Sequence, residues 1–463
     1  MKKKNRANVS RRQFIQGGAA SLAAGAGAKT ARAASAQPSV YKSILPHTVI
    51  GANEIIRTGH IGTGIMGKGN LRYVMERDDM LPIAICDIYE KNKMQAASMA
   101  RAKNPDATDH HHYEEVINNP DVDAVVISTT DHWHALPAIQ ACDAGKAVYC
   151  EKPMTTTIEE ARHVLAAAKR NNTIFQGGTL QRSGDTLQEA VQMLREGYIG
   201  QVFRVETYYH DAFLPPGIGN PEDSEPPAGC DWDLHQGWVE HVPFNENRWL
   251  YTFRFFFDYA GFRLTDWGVH LVDIAMWALG EENKPKTITA SGGKYTVTDN
   301  RTTPDTFDAL WEFDKYTISF GYRACNAYPA ASENSHGMVF YGWGGTMFVS
   351  RAGYEVYPQE RRKKTGEMVP LCKAVEAKQT EDLYRAHWAN FAESLRSGEQ
   401  PISNAEALYN STVTCHMATC AFRAGAKLNW DPEQVRFSCG NSEAETAANA
   451  WAYRPYQNGY KLG

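Results

Sequence analysis

Residues 60–67 read HIGTGIMG, a short apolar run that opens into three glycines with the spacing G-x-G-x-x-G. The preceding residues, 54–61, have the composition of a first strand, and the chain from Lys68 onward can open a helix. A strand, a glycine loop and a helix in this order are typical of a loop that holds the pyrophosphate of a dinucleotide. The alternative interpretation is an ordinary glycine-rich surface loop.

Each glycine has a separate physical role in this interpretation. Gly62 permits a tight turn, Gly64 lets the backbone approach the pyrophosphate, and Gly67 allows the helix to pack closely, with its N-terminus toward the anion. Ile65 and Met66 lie between the second and third glycines, and we assign them to the same cofactor loop.

An acidic residue stands where a ribose contact is expected. Met80–Cys86 reads as the second strand, and Asp87 follows it directly, 20 positions beyond Gly67. A carboxylate at the end of strand two accepts a hydrogen bond from the adenosine ribose 2′-hydroxyl, so Asp87 favours NAD over NADP as cofactor.

The pattern then continues as a doubly wound α/β unit. Further predicted strands and helices alternate along the chain: strands at 123–128, 146–150 and 173–177, and helices at 135–144 and 158–171. The sequence therefore predicts an N-terminal Rossmann domain over residues 54–180.

The N-terminus resembles an export signal. Residues 1–33 contain SRRQFI, which resembles the twin-arginine motif, then a weakly apolar run and an A-x-A cleavage site. We therefore expect a signal peptide at 1–33, an arm at 34–53 and an exported, periplasmic protein whose mature chain does not insert into a membrane.

Composition constrains the partners. The chain has 463 residues, 43% hydrophobic, which suits two globular domains. Removing the predicted signal takes away eight basic residues and no acidic one, which leaves a net charge near −13. Such an acidic chain is a poor ligand for nucleic acid or anionic membranes.

Three ordered motifs carry a family resemblance: STTDHWH at 128–134, EKP at 151–153 and TDWGVHLVD at 265–273. Together they resemble the Gfo/Idh/MocA oxidoreductases, and in particular an exported branch related to the NAD-dependent family 109 glycosidases. The resemblance implies a C-terminal α/β domain, here 181–463, with a large and mainly antiparallel sheet. It also implies a homo-oligomer formed through that sheet.

The second half carries weaker local signals. Strand-like composition occurs at 201–210, 287–297, 306–313, 317–322, 338–343 and 346–351, and helical periodicity occurs at 383–397 and 404–425. The proline-rich stretch 211–229 reads as a long insertion loop that we place over the active site.

Lys152, Asp266 and His270 are the candidate catalytic residues. Lys152 follows a predicted Rossmann strand at its carboxyl edge, and Asp266 and His270 share one face if their segment is helical. By resemblance, these three match the catalytic lysine, aspartate and histidine of the family. We assign His270 as acid/base, Lys152 as proton relay and alkoxide stabiliser, and Asp266 as the orienting carboxylate; the division between His270 and Lys152 stays open.

Further site residues are assigned more loosely. Cofactor contacts near the nicotinamide ribose are implied for Thr129, Thr130, His134 and Glu151, with Lys152 beside them. Substrate contacts are assigned to Arg182, Tyr259, Trp267 and Asp273, against the alternatives of a structural ion pair and an aromatic core.

Phe262 and Arg263 stand where relatives carry a glycine-rich run, so we do not carry the relatives' substrate geometry over.

We expect no metal site. The triplet 110–112 is all histidine, but it lies on a predicted strand, where neighbouring side chains point to opposite faces. None of the nine cysteines forms a C-x-x-C pair, and we interpret most of them as buried hydrophobic residues.

The predicted function is an oxidoreductase that transfers a hydride from a secondary hydroxyl, with C3 as one candidate, of a sugar or glycoside to tightly bound NAD. Free NAD is not maintained outside the cytoplasm, so an exported enzyme must retain its cofactor. Two alternatives stay open. One is a redox-neutral NAD-dependent glycosidase that oxidises, eliminates, hydrates and re-reduces, and the other is a sugar-binding protein without turnover.

Overall fold

The computed structural model describes residues 50–51, 54–328 and 334–462. The predicted signal peptide and nearly all of the predicted arm lie outside these described residues. Among the described residues, no helix is both long enough and apolar enough to cross a membrane.

The N-terminal domain is a six-stranded parallel sheet in the order β3-β2-β1-β4-β5-β6. Its strands are β1 (Ile56–Ile61), β2 (Met80–Cys86), β3 (Thr108–His110), β4 (Ala124–Ile127), β5 (Ala147–Cys150) and β6 (Phe175–Gly177). Its helices are α1 (Ile65–Met75), α2 (Glu90–Lys103), α3 (Tyr113–Asn118), α4 (Ala135–Asp143) and α5 (Ile158–Arg170). This is the Rossmann strand order. Strands β1 to β3 are added in succession toward one edge of the sheet, and β4 to β6 are then added on the other side of β1 toward the opposite edge.

Local chemistry explains where these elements begin. The central strands β4 and β5 are apolar and buried at every position, as parallel strands covered on both faces must be. Helix α5 begins with a capping box, in which the Thr157 hydroxyl accepts from Glu160 N while the Glu160 carboxylate accepts from Thr157 N. Helix α1 begins at Ile65, three residues earlier than predicted, because tertiary packing overrides the low helix propensity of its glycines.

The C-terminal part contains a ten-stranded sheet in the order β16-β13-β12-β11-β7-β10-β9-β8-β17-β18. Its strands are β7 (Val202–His210), β8 (Thr287–Gly293), β9 (Thr306–Glu312), β10 (Thr317–Arg323), β11 (His336–Gly342), β12 (Gly345–Ser350), β13 (Gly353–Pro358), β16 (Val375–Lys378), β17 (Leu428–Asp431) and β18 (Arg436–Ser438), with β14 (Glu360–Arg362) and β15 (Met368–Pro370) as a separate hairpin. The helices are α6 (Asp185–Arg195), α7 (Trp232–Gln236), α8 (Val269–Leu279), α9 (Leu383–Ser397), α10 (Ala405–Ala424) and α11 (Ser442–Ala452).

The α/β fold class and the mainly antiparallel character of this sheet are confirmed. The β7–β10 pair is parallel, and the other ladders of the sheet are antiparallel.

The segment 211–263, between β7 and the site motif, is more than the predicted loop. Its second half has a buried aromatic cluster with Trp238, Phe255, Phe256 and Tyr259 almost fully enclosed. Aromatic side chains bury large areas, so this segment stabilises itself without long regular elements. We call it the aromatic segment below.

Candidate active site

The glycine loop has the geometry that its interpretation requires. Gly62 adopts φ +80°, and a Cβ atom there would lie 2.6 Å from Thr129 N. A Cβ atom at Gly67 would collide with the carbonyl oxygen of Gly62, so α1 packs directly on the turn. A Cβ atom at Gly64, by contrast, would meet nothing within 4 Å, so the protein leaves this backbone open for a ligand to approach.

Replacing Gly62 by alanine is expected to lower the free energy of unfolding by at least about 2 kcal/mol, because the side chain adds left-handed strain and a backbone clash. The variant should also lose any retained NAD. Gly69→Ala is the matched control: a Cβ atom there meets nothing within 4 Å, and helix propensity improves. Denaturant unfolding and assay of released NAD measure both effects; equal stability of the two variants would contradict the prediction.

Asp87 fits a ribose contact while it also closes the glycine loop. Its Oδ2 accepts from Thr63 N at 2.7 Å and Thr63 Oγ1 at 2.9 Å, and its Oδ1 accepts from Tyr89 N at 2.8 Å. Because each carboxylate oxygen has two lone pairs, Oδ1 can still accept from a ribose hydroxyl. Burial raises the pKa of Asp87, which the three hydrogen bonds oppose.

Lys152 and Asp266 are in direct contact. Lys152, two residues beyond β5, donates from Nζ to Asp266 Oδ1 at 2.6 Å and to the Asp266 carbonyl oxygen at 2.9 Å. Both side chains are about nine-tenths buried. The contact joins the carboxyl edge of the Rossmann sheet to the turn that precedes α8. The two sequence motifs, which are 114 residues apart, could not show it.

Two arginines of the aromatic segment complete the surroundings of Asp266. Arg263 donates from Nη1 to Asp266 Oδ2, and Arg254 Nε lies 3.5 Å from Asp266 Oδ1. Arg263 is itself held by Asp211, whose Oδ2 accepts from Nε at 2.6 Å. Burial alone would raise the pKa of Asp266, but Lys152, Arg254 and Arg263 outweigh it and hold the pKa well below its ordinary value.

His270 lies one turn beyond Asp266. Residues Leu264–Gly268 form a π-helical turn that runs into α8, an irregularity that is common at functional sites. Burial, reinforced by the charges of Arg351 and Lys152, lowers the pKa of His270 well below its ordinary value, so the ring is neutral at pH 7. Among the described residues, nothing is hydrogen-bonded to its buried Nδ1.

Asp131 is a titratable residue at this site that the sequence analysis did not single out. It follows β4 at the same sheet edge as Lys152, and only 6% of its surface is exposed. Burial raises its pKa to about 7. The nearby carboxylate of Asp266 also raises the pKa, whereas the positive charges of Arg254 and Lys152 lower it. Its only sequence signal was its position inside the motif STTDHWH.

The raised pKa of Asp131 predicts a pH-dependent stability. The folded protein keeps a proton that the unfolded chain releases near pH 3.8, so this group's contribution falls progressively between about pH 4 and about pH 7. In Asp131→Asn, which mimics the protonated form, that decline should be smaller, while the exposed Asp106→Asn should follow the parent. Urea unfolding across this pH range is the measurement; identical curves for parent and Asp131→Asn would refute the assignment.

The predicted cofactor residues after β4 and β5 lie in two environments. Thr129 is half-buried, and within the described residues its Oγ1 has no hydrogen-bond partner, which suits a cofactor contact; Thr130 is also half-buried. Glu151 accepts from Asn70 Nδ2 at 2.9 Å, and burial raises its pKa.

Both ring nitrogens of His134 lie close to backbone carbonyl oxygens. Its Nδ1 lies 2.7 Å from the Pro153 carbonyl oxygen, its Nε2 lies 3.2 Å from that of Thr129, and burial lowers its pKa to about 4. The ring braces two backbone segments.

The four predicted substrate residues are already engaged inside the protein. Arg182 donates to both carboxylate oxygens of Asp273, at 2.7 and 2.8 Å, in an ion pair that is nearly inaccessible to solvent. Tyr259 is fully buried in the aromatic cluster. Trp267 stacks on Tyr209 with ring centroids 4.6 Å apart, and this packing covers ring surface that a sugar would need.

The structure therefore places Arg182 in a structural ion pair, with Asp273 as its partner, and Tyr259 in the aromatic core; these were the alternative interpretations of Arg182 and Tyr259.

The histidine triplet is divided between different partners. His110 Nδ1 lies 3.1 Å from Glu115 Oε2, whereas His111 Nε2 lies 2.9 Å from Asp231 Oδ2. Within 50–51, 54–328 and 334–462, no group of three or more His, Cys, Asp or Glu side chains could hold a metal ion. All nine cysteines are free thiols, and five of them are buried.

Comparison with known proteins supports the interpretation of the first domain. Residues 56–179 match the profile of the GFO_IDH_MocA family, described as "Oxidoreductase family, NAD-binding Rossmann fold". The chain is 29% identical over 194 residues to inositol 2-dehydrogenase of Salmonella typhimurium, which covers 42% of this chain and 55% of the relative. It is 28% identical over 211 residues to α-N-acetylgalactosaminidase of Shewanella oneidensis, which covers 44% and 46% respectively.

The chain spans about half the length of the curated relatives it matches. Similarity of fold extends further: the structure of aldose-aldose oxidoreductase from Caulobacter crescentus, complexed with glycerol, aligns at a TM-score of 0.58 and 19% identity over 81% of this chain and all of that one. Sequence profile, strand order and glycine-loop geometry agree, and residues 56–179 are an NAD-binding Rossmann domain of the Gfo/Idh/MocA oxidoreductase type.

Proposed function

We propose that this protein is an NAD-dependent oxidoreductase that acts on a secondary hydroxyl, with C3 as the first candidate, of a sugar or glycoside. The observation that carries the proposal is the contact between Lys152 Nζ and Asp266 Oδ1 at the carboxyl edge of the Rossmann sheet. Ligands of open α/β sheets bind at this edge, close to the glycine loop.

The side chains at this edge divide the work of alcohol oxidation. When bound, NAD supplies the hydride acceptor. Lys152 uses two of its three N–H donors on Asp266, which leaves the third to stabilise a developing alkoxide. Asp266 stays ionised and holds the ammonium group in place. His270 is neutral at pH 7 and can accept the hydroxyl proton.

The second candidate is a redox-neutral glycosidase. It is supported by the 28% identity to α-N-acetylgalactosaminidase, and it would use the same three side chains with a single substrate. In both cases we propose export by the twin-arginine route with NAD already bound, and a homo-oligomer formed through the ten-stranded sheet.

Cofactor choice follows from Asp87. A carboxylate there accepts from a ribose 2′-hydroxyl and repels a 2′-phosphate, so we propose NAD rather than NADP.

The deciding experiment uses full-length protein purified without added cofactor. Retained cofactor is released by denaturation and identified as NAD or NADP, and the native protein is then given α- and β-nitrophenyl glycosides. Cofactor that becomes reduced, and stays reduced until a keto-sugar is added, supports the oxidoreductase. Nitrophenol release with neither added NAD nor a second sugar supports the glycosidase. Sugar binding without either signal would leave the sugar-binding alternative, and the absence of retained cofactor would refute the proposal of tight binding.

A further inference from the structure

Arg351 is a cation near the active site that the proposed mechanism does not use. It follows β12 directly, and its guanidinium lies 4.4 Å from the centroid of the Trp267 ring. In the amide orientation that satisfies both of its groups, Gln181 accepts from Arg351 Nε at 2.9 Å and donates to the His270 carbonyl oxygen at 3.2 Å. The guanidinium is thereby fixed beside the backbone of the proposed acid/base.

Arg351 lacks the counter-ion that its neighbours have. Within the part of the chain that the structure describes, no carboxylate lies within 4.0 Å of it, whereas Arg263 pairs with Asp211 and Asp266. Arg351 is half-buried, and burial lowers its pKa, so solvent compensates its charge poorly. Arg423 lies over Trp451 in a similar contact, at 4.3 Å, but it is exposed and water can solvate it.

His336 is a neutral side chain that contacts the same Trp267 ring as Arg351. His336 packs against Trp267 with ring centroids 4.7 Å apart, and within the described residues its buried Nε2 has no hydrogen-bond partner. Burial and then the charge of Arg351 lower the pKa of His336 to about 4, so it is neutral and adds no second positive charge. One uncompensated cation with a neutral imidazole beside it matches a ligand with one negative charge.

Position relates this cation to the reacting groups. Gln181 contacts both Arg351 Nε and the His270 carbonyl oxygen, so one side chain links the guanidinium to the backbone of the proposed acid/base. The charges of Arg351 and Lys152 both lower the pKa of His270, which agrees with this placement.

We propose that Arg351, supported by Gln181 and His336, binds the carboxylate of an acidic sugar, so that the substrate class is a uronic acid or its glycoside. This inference rests on the proposed oxidoreductase or glycosidase function. A guanidinium binds carboxylate and phosphate in similar bidentate geometry, so a sugar phosphate is the other source of the same chemistry. The single unmatched charge favours the carboxylate.

The test measures binding to the purified protein with its retained cofactor, by titration calorimetry and independently of turnover. The probes are the methyl α- and β-glycosides of glucuronate and galacturonate, the matching neutral methyl glycosides, and glucose and galactose 6-phosphates. We expect at least one uronide to bind about tenfold or more tightly than its neutral counterpart, the usual size of a charged hydrogen-bonded contact.

Arg351→Met keeps most of the packing on Trp267 and removes the charge. We expect it to lower uronide affinity by about 10- to 100-fold and to change neutral-sugar affinity less than about threefold. Arg423→Met, which removes the exposed cation over Trp451, should bind as the parent does. If Arg351→Met does not fold by circular dichroism, Arg351→Lys replaces it, with weaker uronide binding expected because lysine lacks the bidentate fork.

Several results would overturn the proposal. They are equal affinity of parent and Arg351→Met for every uronide, preference for a sugar phosphate over the uronide, and loss of retained NAD in Arg351→Met, which would place Arg351 in the cofactor site. Failure of the proposed function is a separate result, because it would appear as tight, Arg351-dependent uronide binding without cofactor reduction or glycoside cleavage. If the protein oxidises neutral sugars and the Arg351→Met substitution does not change that rate, only the proposed uronide substrate class is refuted.

Discussion

Lys152→Ala should lower kcat by at least about a thousandfold while the protein keeps its fold and its retained NAD. The variant removes the ammonium group that we assign to alkoxide stabilisation and proton relay. Asp266 still has Arg254 and Arg263 beside it, so no buried carboxylate is left without a counter-ion. Initial rates with the best substrate of the glycoside panel, and assay of released NAD, are the two measurements.

Lys169→Ala is the matched control for this variant. Lys169 also pairs with a carboxylate, at 3.1 Å from Glu406 Oε2, but both side chains are more than half exposed and lie away from the site. Its removal should leave kcat and NAD content unchanged. A Lys152→Ala enzyme that retained more than about a tenth of the parent kcat would contradict any role in chemistry, since general acid/base groups contribute about 100- to 10,000-fold.

Asp273→Ala should lower the free energy of unfolding by about 3–5 kcal/mol, because it leaves the guanidinium of Arg182 buried beside an empty position. Arg182 is 2% exposed and Asp273 is fully buried. Glu281 offers Arg182 a remaining contact at 2.7 Å, but that carboxylate is partly exposed and compensates the charge incompletely. Denaturant unfolding of parent and variant gives the difference directly.

An exposed pair provides the comparison for Asp273. Arg170 donates to Asp143 at 2.6 and 2.7 Å, so its geometry is as good, but about half of each side chain is in solvent. Asp143→Ala should therefore cost less than about 1 kcal/mol. Equal effects of the two substitutions would show that Asp273 contributes no more than a surface charge.

Much of the first domain could be predicted because its signals are local. Buried parallel strands read as short apolar runs, and the glycine spacing and Asp87 follow from a single strand–loop–helix unit. The helix at Leu383–Ser397 was equally local, with an acidic N-cap and glycine at its end. The aromatic segment could not be predicted in this way. Its tryptophans and phenylalanines form a compact cluster without the regular spacing of apolar residues that indicates a helix or a strand.

The site was predictable in its motifs and not in its surroundings. Lys152, Asp266 and His270 each lie in a recognisable motif, and the structure brings the first two into contact. Arg254 and Arg263 come from the aromatic segment, and Arg351 follows the antiparallel strand β12. No local pattern fixes what such residues approach. Trp267 lies in a recognisable motif too, but its stacking on Tyr209, a residue of a different element, has no local signal in the sequence.

The three cations around Asp266 come from two distant parts of the chain, Lys152 from the Rossmann edge and Arg254 and Arg263 from the aromatic segment. A chain in which only one of these parts had folded would hold a carboxylate with too little compensating charge and a lysine with no anchor. If the proposed oxidoreductase activity is correct, we therefore expect it to appear only in molecules in which both parts of the chain have folded.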